Sequence, residues 1–255
     1  MTQSRQKEER SFPLAKLIPN IVTLIALAIG LSAIRFAVNG HWISATAFIV
    51  TACFLDGIDG RLARFLNSTS DFGAQLDSLA DFFNFGIAPG LVIYMWLGSF
   101  SNIKGLDWAL VLFFAICMAI RLARFNVNLG KEKVNPCLDQ YFFRGIPAPC
   151  GAGLCMLPMI LTHEFGYGYF FNNPYFVILY VFILALLIAS TIPTVSIKRI
   201  PVRNDYIGLT LAFLGLMIVG IIITPWLTLA TMGVVYALSI PLSVIFYLKI
   251  KYSKK

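Results

Sequence analysis

Asp56-Gly-Ile-Asp59-Gly60-Arg-Leu-Ala63-Arg64, followed after eight residues by Gly73-Ala-Gln-Leu-Asp77-Ser-Leu-Ala-Asp81, sets four carboxylates in an otherwise apolar stretch of chain. An ionised side chain in the hydrocarbon core of a bilayer costs at least a few kcal/mol. Four close together therefore call for a cation partner and a function that needs them. The surroundings are those of a membrane. The chain has 255 residues, of which 58% are apolar and only 13% charged, with a mean hydropathy of +0.80. Soluble domains carry roughly 25% charged residues, so the composition excludes a water-soluble domain and predicts an all-α integral membrane protein.

Apolar runs long enough to cross about 30 Å of hydrocarbon predict about eight helices, near residues 20–38, 42–66, 71–97, 107–127, 146–163, 174–194, 206–223 and 227–248. Pro19-Asn20 opens the first of these, and Asn67-Ser-Thr-Ser70-Asp71 forms a polar turn whose last residues cap the next helix. The net charge of +8 could suggest a nucleic-acid partner, but its placement argues against one. Arg5, Lys7, Arg10, Lys16, Arg61, Arg64, Arg121, Arg124, Lys131, Lys133, Arg144, Lys198, Arg199, Arg203, Lys249, Lys251, Lys254 and Lys255 all fall at ends or loops on one side of the membrane. Only Arg35 and Lys104 fall on the other. By the positive-inside rule both termini face the cytoplasm, and residues 1–11 form a polar tail near anionic headgroups. The first apolar run is too long for a cleaved secretory signal and lacks a small-residue cleavage site.

The five cysteines, Cys53, Cys117, Cys137, Cys150 and Cys155, have no paired metal-ligand spacing and read as reduced packing residues. His41 and His163 stand alone at predicted outer helix ends, as interfacial residues.

If the second and third helices form an antiparallel hairpin turning at 67–70, the numbers of facing residues sum to about 137. Asp56 then faces Asp81, Asp59 faces Asp77, and Arg64 faces Gly73. Within each helix the pairs lie at i,i+3 and i,i+4, on one face. The result is one four-carboxylate cage recessed roughly 13–19 Å from the turn, at about 1.5 Å per residue. Two divalent cations would neutralise the repulsion within it. All-oxygen ligation favours Mg²⁺ or Mn²⁺ over Zn²⁺, and such ions bind and polarise phosphate groups. Gly57, Gly60, Ala63 and Gly73 would let a bulky headgroup and the facing helix approach, and Arg64 suits a phosphate. The hairpin thus reads as a metal site gripping a pyrophosphate-containing lipid.

The pattern D-x-x-D-G-x-x-A-R-x₈-G-x₃-D-x₃-D, filled at every position over 26 residues, resembles the motif of the CDP-alcohol phosphotransferase family. That resemblance implies a six-helix catalytic core over 19–200, preceded by a tail of residues 1–18 and followed at 201–255 by two further helices and a basic tail. It implies displacement of CMP from a CDP-linked lipid or alcohol by an incoming hydroxyl. Asp56, Asp59 and Asp77 would bind the metals. Asp81 would be the general base and also touch one metal. Gly60 and Arg64, with Ser70, would hold the CDP moiety. Pro19-Asn20-x-x-Thr23 resembles the family's first-helix element at the nucleotide pocket. A homodimer in the cell (inner) membrane, with its site facing the cytoplasm, is implied as well.

Flanking stretches resemble the membrane-embedded bacterial phosphatidylserine synthases within that family. They are Asp77-Ser-Leu-Ala-Asp81-Phe-Phe-Asn-Phe-Gly86-Ile-Ala-Pro89, Arg121-Leu-Ala-Arg124-Phe-Asn126, Phe143-Arg-Gly145-Ile-Pro147-Ala-Pro149 and Pro193-Thr-Val-Ser196-Ile-Lys198. The substrates so implied are CDP-diacylglycerol and L-serine. A zwitterionic acceptor needs a cation for its carboxylate, and Arg121, Arg124, Asn84 and Asn126 are the candidate contacts. Phosphatidyl transfer to glycerol 3-phosphate, an inositol compound or choline stays open as an alternative. So do a cation- or proton-coupled transporter and a structural membrane protein.

Overall fold

The computed structural model describes residues 17–101, 105–128, 142–166, 170–195 and 206–253. Most of the expected tail, Lys104, Cys137, Lys131, Lys133, Lys198, Arg199, Arg203, Lys254 and Lys255 lie outside the described residues. The described helices are α1 (Ile18–Val38), α2 (Trp42–Phe65), α3 (Asp71–Asp81), α4 (Ala88–Phe100), α5 (Leu106–Asn128), α6 (Ala148–Phe165), α7 (Pro174–Ala189), α8 (Ile207–Ile223) and α9 (Pro225–Ser253). α3 and α4 are one span, joined without a break by a π turn at Phe82–Ile87. Eight apolar spans result, at close to the expected positions. Five are long and apolar enough to cross a bilayer, and α7 and α8 are shorter apolar helices. The protein is an integral membrane protein.

α6 sits at the centre. Eleven of its residues are buried, as expected of a helix that is apolar all round. Pro158, inside it, cannot donate to the carbonyl four residues back. That carbonyl, on Leu154, accepts instead from the Tyr180 hydroxyl of α7 at 2.9 Å, so a helix defect becomes a tie between helices. Pro89 has a related effect in the third span. With its N–H missing, the chain switches to i→i+5 bonding, and the Ala88 N–H reaches Phe83 O. α8 buries none of its residues and packs on α9 at the edge of the bundle.

Two departures from the expected architecture bear on the site. The helix expected over 174–194 ends at Ala189. The chain then runs extended into β2 (Pro193–Val195), which pairs antiparallel with β1 (Phe142–Arg144). Pro193 disfavours helix at the residue before it, and the Ile192 carbonyl accepts from Gly145 N at 2.8 Å. Gly145 is required there. Its φ is +79°, and a Cβ would lie 2.7 Å from Ser190 O. Gly145→Ala is therefore expected to destabilise the protein by about 1–2 kcal/mol from the left-handed backbone alone, read as a lower thermal midpoint in detergent. An unchanged midpoint would show that the collar adjusts freely.

The second departure concerns the hairpin. α1 packs against both α2 and α3, but α2 and α3 have little backbone contact with each other. A Cβ added at Gly57 or Gly60 would meet no atom within 4 Å. These glycines do not bring the facing helix closer, as expected from the sequence; they leave a cleft between the two helices. Phe54 and Phe65 of α2 and Phe72 and Leu79 of α3 are exposed.

Candidate active site

The cleft holds the carboxylates. At its turn, Asn67 adopts φ 47°, a left-handed conformation that asparagine tolerates. Ser68 N bonds to Ala63 O at 2.9 Å and Asn67 N to Arg64 O at 3.3 Å, closing α2 with a Schellman motif. Three residues on, Ser70 caps α3 by accepting from Gly73 N at 3.0 Å. This short, doubly capped turn sets the register. Across it, Asp56, Asp59 and Asp77 each present an oxygen, all within 4.8 Å of one another. Asp81 stands beside them, its carboxyl in hydrogen-bonding range of Asp56, with Oδ1 buried and unpartnered among the described residues. Three of the expected four carboxylates thus come together, with Asp81 adjoining Asp56.

Asp59 is the most constrained of the four. It is 3% exposed. Its Oδ2 accepts from the Thr23 hydroxyl of α1 at 2.7 Å and its Oδ1 from Gly60 N at 2.6 Å. α1 also brings Asn20 to the turn, where its Oδ1 would lie 2.8 Å from a Cβ at Gly73; the bare glycine leaves room for that amide. Thr23 thus holds Asp59, while Asn20, Gly73 and Ser70 come together at the turn. Arg64 is exposed and folds back along α2, with Nε donating to Gly60 O at 3.0 Å. Ala63 lies at the helix end, its carbonyl engaged by Ser68.

The fit to a divalent ion follows from the donors. Oxygens about 2.1 Å from Mg²⁺ lie up to about 4 Å apart, so small side-chain rotations bring Asp56, Asp59 and Asp77 onto a shared ion. The donor set is all oxygen, and the fourth carboxylate has an oxygen with no other use. These residues could hold a metal.

On the other side of Asp81 lies α5. The Arg121 guanidinium is within electrostatic reach of Asp81 and is oriented by Nε donating to Ile146 O at 2.6 Å. Arg124 donates from Nη2 to Ser190 O at 3.1 Å, and Asn126 donates from Nδ2 to Ser78 Oγ at 3.0 Å. Asn84 lies in the π turn, 1% exposed, with both amide atoms unpartnered among the described residues. Gly30 of α1 makes room for it, because a Cβ there would lie on its Oδ1. Arg121 is the candidate acceptor contact with an electrostatic link to Asp81.

Sequence reasoning missed the backbone collar at 145–146 and 190–195 that aims the two arginines. Its signal was Gly145-Ile-Pro147 with Pro193. Cys53 and Cys150, expected as reduced packing residues, are free thiols packed against the core.

Comparison with known proteins agrees with this geometry. Residues 16–245 match the CDP-alcohol phosphatidyltransferase family. The CDP-diacylglycerol–serine O-phosphatidyltransferase of Mycobacterium bovis is 34% identical over 229 residues, covering 90% of this chain and 78% of the relative. The protein of the same name from Mycobacterium leprae is 33% identical, over 94% and 78%. That from Helicobacter pylori strain 26695 is 34% identical, over 80% and 82%. With its carboxylates spaced in that family's pattern and nearly its whole length matched, the chain belongs to the CDP-alcohol phosphatidyltransferase family.

Proposed function

We propose that the chain transfers the phosphatidyl group of CDP-diacylglycerol to the hydroxyl of L-serine, giving phosphatidylserine and CMP. One observation carries the reading: Asp56, Asp59 and Asp77 converge across an open intramembrane cleft, with Asp81 adjoining them and Arg121 beyond it. The relatives' names support serine as the acceptor. Asp56, Asp59 and Asp77 would hold Mg²⁺ or Mn²⁺, two ions in the full cage, with Asp81 alongside. Bound there, such ions supply charge neutralisation of the pyrophosphate and polarisation of the phosphorus.

The protein's own groups do the rest. Thr23 and the Gly60 N–H fix the Asp59 carboxylate. Gly57, Gly60, Ala63 and Gly73 leave space for the CDP headgroup, which Asn20, Thr23, Arg64 and Ser70 contact. Asp81 accepts the proton of the serine hydroxyl. The serine oxygen then bonds to the phosphorus bearing diacylglycerol, and the bond from that phosphorus to the CMP oxygen breaks, CMP leaving with the electron pair. Holding nucleophile and phosphoryl group in line is the main gain.

Residues 19–200 form the catalytic core, and 201–255 add α8, α9 and the basic tail. The lysine and arginine bias supports an inner-membrane protein whose termini and site face the cytoplasm. The family resemblance supports a homodimer acting among membrane lipids. Purified protein given CDP-diacylglycerol and Mg²⁺ or Mn²⁺ is expected to release CMP with L-serine. Glycerol 3-phosphate, inositol and choline are expected to give at most a small fraction of that rate. A faster reaction with any of those three would reassign the acceptor, and cation-driven uptake without CMP release would make the protein a transporter.

A further inference from the structure

A cavity of about 360 Å³ lies at the end of the bundle away from the carboxylates, within the size range of small-ligand sites. Its walls are the start of α2 from Gly40 to Ser44, Trp96 of α4 and the end of α6, where His163 stands. Trp42 is about 21 Å along α2 from Asp56, at 1.5 Å per residue, so the cavity and the cleft lie toward opposite leaflets. Among the described residues its lining holds no Asp, Glu, Lys or Arg, and its ionisable groups are His41 and His163. Both are exposed at this end, and both rings have aromatic neighbours. His41 meets Phe36 edge-on at 6.4 Å, and His163 meets Trp226 in the same way at 6.1 Å. Trp96 is 1% exposed, yet forms part of the wall, and its indole N–H donates to no described residue. Imidazoles, the Ser44 hydroxyl and an indole can all donate hydrogen bonds, and none brings negative charge. The first-turn amides of α2, which no side chain caps, add to that polarity. The complementary ligand is an oxyanion.

We propose that this cavity binds the phosphate group of a phospholipid in the leaflet away from the carboxylates, with His41 and His163 donating to its oxygens. The lipid source follows from the surroundings. Val38 and Phe165, close in sequence to the two histidines, are exposed apolar groups, and tryptophans such as Trp42 and Trp96 favour the interface of a bilayer. A headgroup seated in the cavity keeps its acyl chains against such surfaces, whereas a free anion gains nothing from them. Inorganic phosphate offers the same oxygens without the chains, so the two sources separate by experiment. The site is distinct from the cleft and does not depend on the reaction assigned there.

The test is the thermal midpoint of the full chain in dodecyl maltoside, read as three probes are titrated in at constant ionic strength. They are dioleoylphosphatidylglycerol, dioleoylglycerol (the same tails without phosphate) and inorganic phosphate. A ligand of the folded state raises the midpoint with its concentration. The phospholipid is expected to raise it, dioleoylglycerol to leave it unchanged, and inorganic phosphate to act only at far higher concentration. His41→Ala and His163→Ala are each expected to shift the phospholipid titration about tenfold or more to higher concentration, the effect of losing a hydrogen bond to a charged group. Their lipid-free midpoints are expected to match wild type, because both side chains are exposed. Asp59→Ala is expected to keep the full response, which separates the cavity from the cleft. A wild type that does not respond, histidine variants that respond as wild type does, or dioleoylglycerol as effective as the phospholipid would each overturn the site. Inorganic phosphate as potent as the phospholipid would make the ligand a free anion and end the lipid assignment.

Discussion

Asp81→Asn is expected to cut the rate of CMP release by about 10²–10⁴-fold, the usual contribution of a positioned general base. The substitution keeps shape and volume. It also keeps one oxygen beside Asp56, so binding of CDP-diacylglycerol is expected to survive within a few-fold. What it removes is the ability to take a proton, because an amide oxygen is a far weaker base than a carboxylate. Asp81 suits the role by position. Its Oδ1 is buried with no other use among the described residues, and Arg121 lies in range to draw the acceptor in. The measurement is single-turnover CMP release alongside equilibrium binding of the liponucleotide. Near-wild-type turnover in this variant removes Asp81 from the proton-transfer step.

Asp59→Ala is expected to abolish turnover outright, as is chelation of divalent ions from the wild-type protein. Asp59 has its two oxygens set from opposite sides, by Thr23 and by the Gly60 N–H. It is the carboxylate least able to be replaced by a neighbour swinging into its place. Its loss also leaves the Thr23 hydroxyl facing a void. Metal binding can be read apart from catalysis. A ligand that binds only the folded state raises stability with its concentration, so Mn²⁺ is expected to raise the thermal midpoint of wild type and not of Asp59→Ala. Turnover that persists in excess chelator would rule out a metal-dependent reaction.

Much of this site was readable in the sequence because it is local. Asp56, Asp59, Asp77 and Asp81 are joined by a short capped turn, and helical periodicity alone decides which of them face one another. Ser70, Gly73 and Asn67 supply turn chemistry with few alternatives. The contacts that escaped are those fixed by packing between distant segments. Whether Gly57 and Gly60 close a helix pair or open a cleft depends on α1, which takes up the packing surface of both α2 and α3. The β1–β2 pairing joins segments about fifty residues apart over three residues each, too short for any alternating pattern to be seen. The π turn after Asp81 had a visible cause in Pro89, but a proline signals a disturbed helix without saying which form the disturbance takes.

The gap between α2 and α3, two helices that expose Phe54, Phe65, Phe72 and Leu79, has a kinetic consequence. A two-tailed amphiphile can slip in sideways from the leaflet, its fatty chains never meeting water, so encounters happen in a plane and not in a volume. The effective dose of such a substrate is its mole fraction at the surface. Added detergent then thins it out, slowing the enzyme although the amount per litre is unchanged.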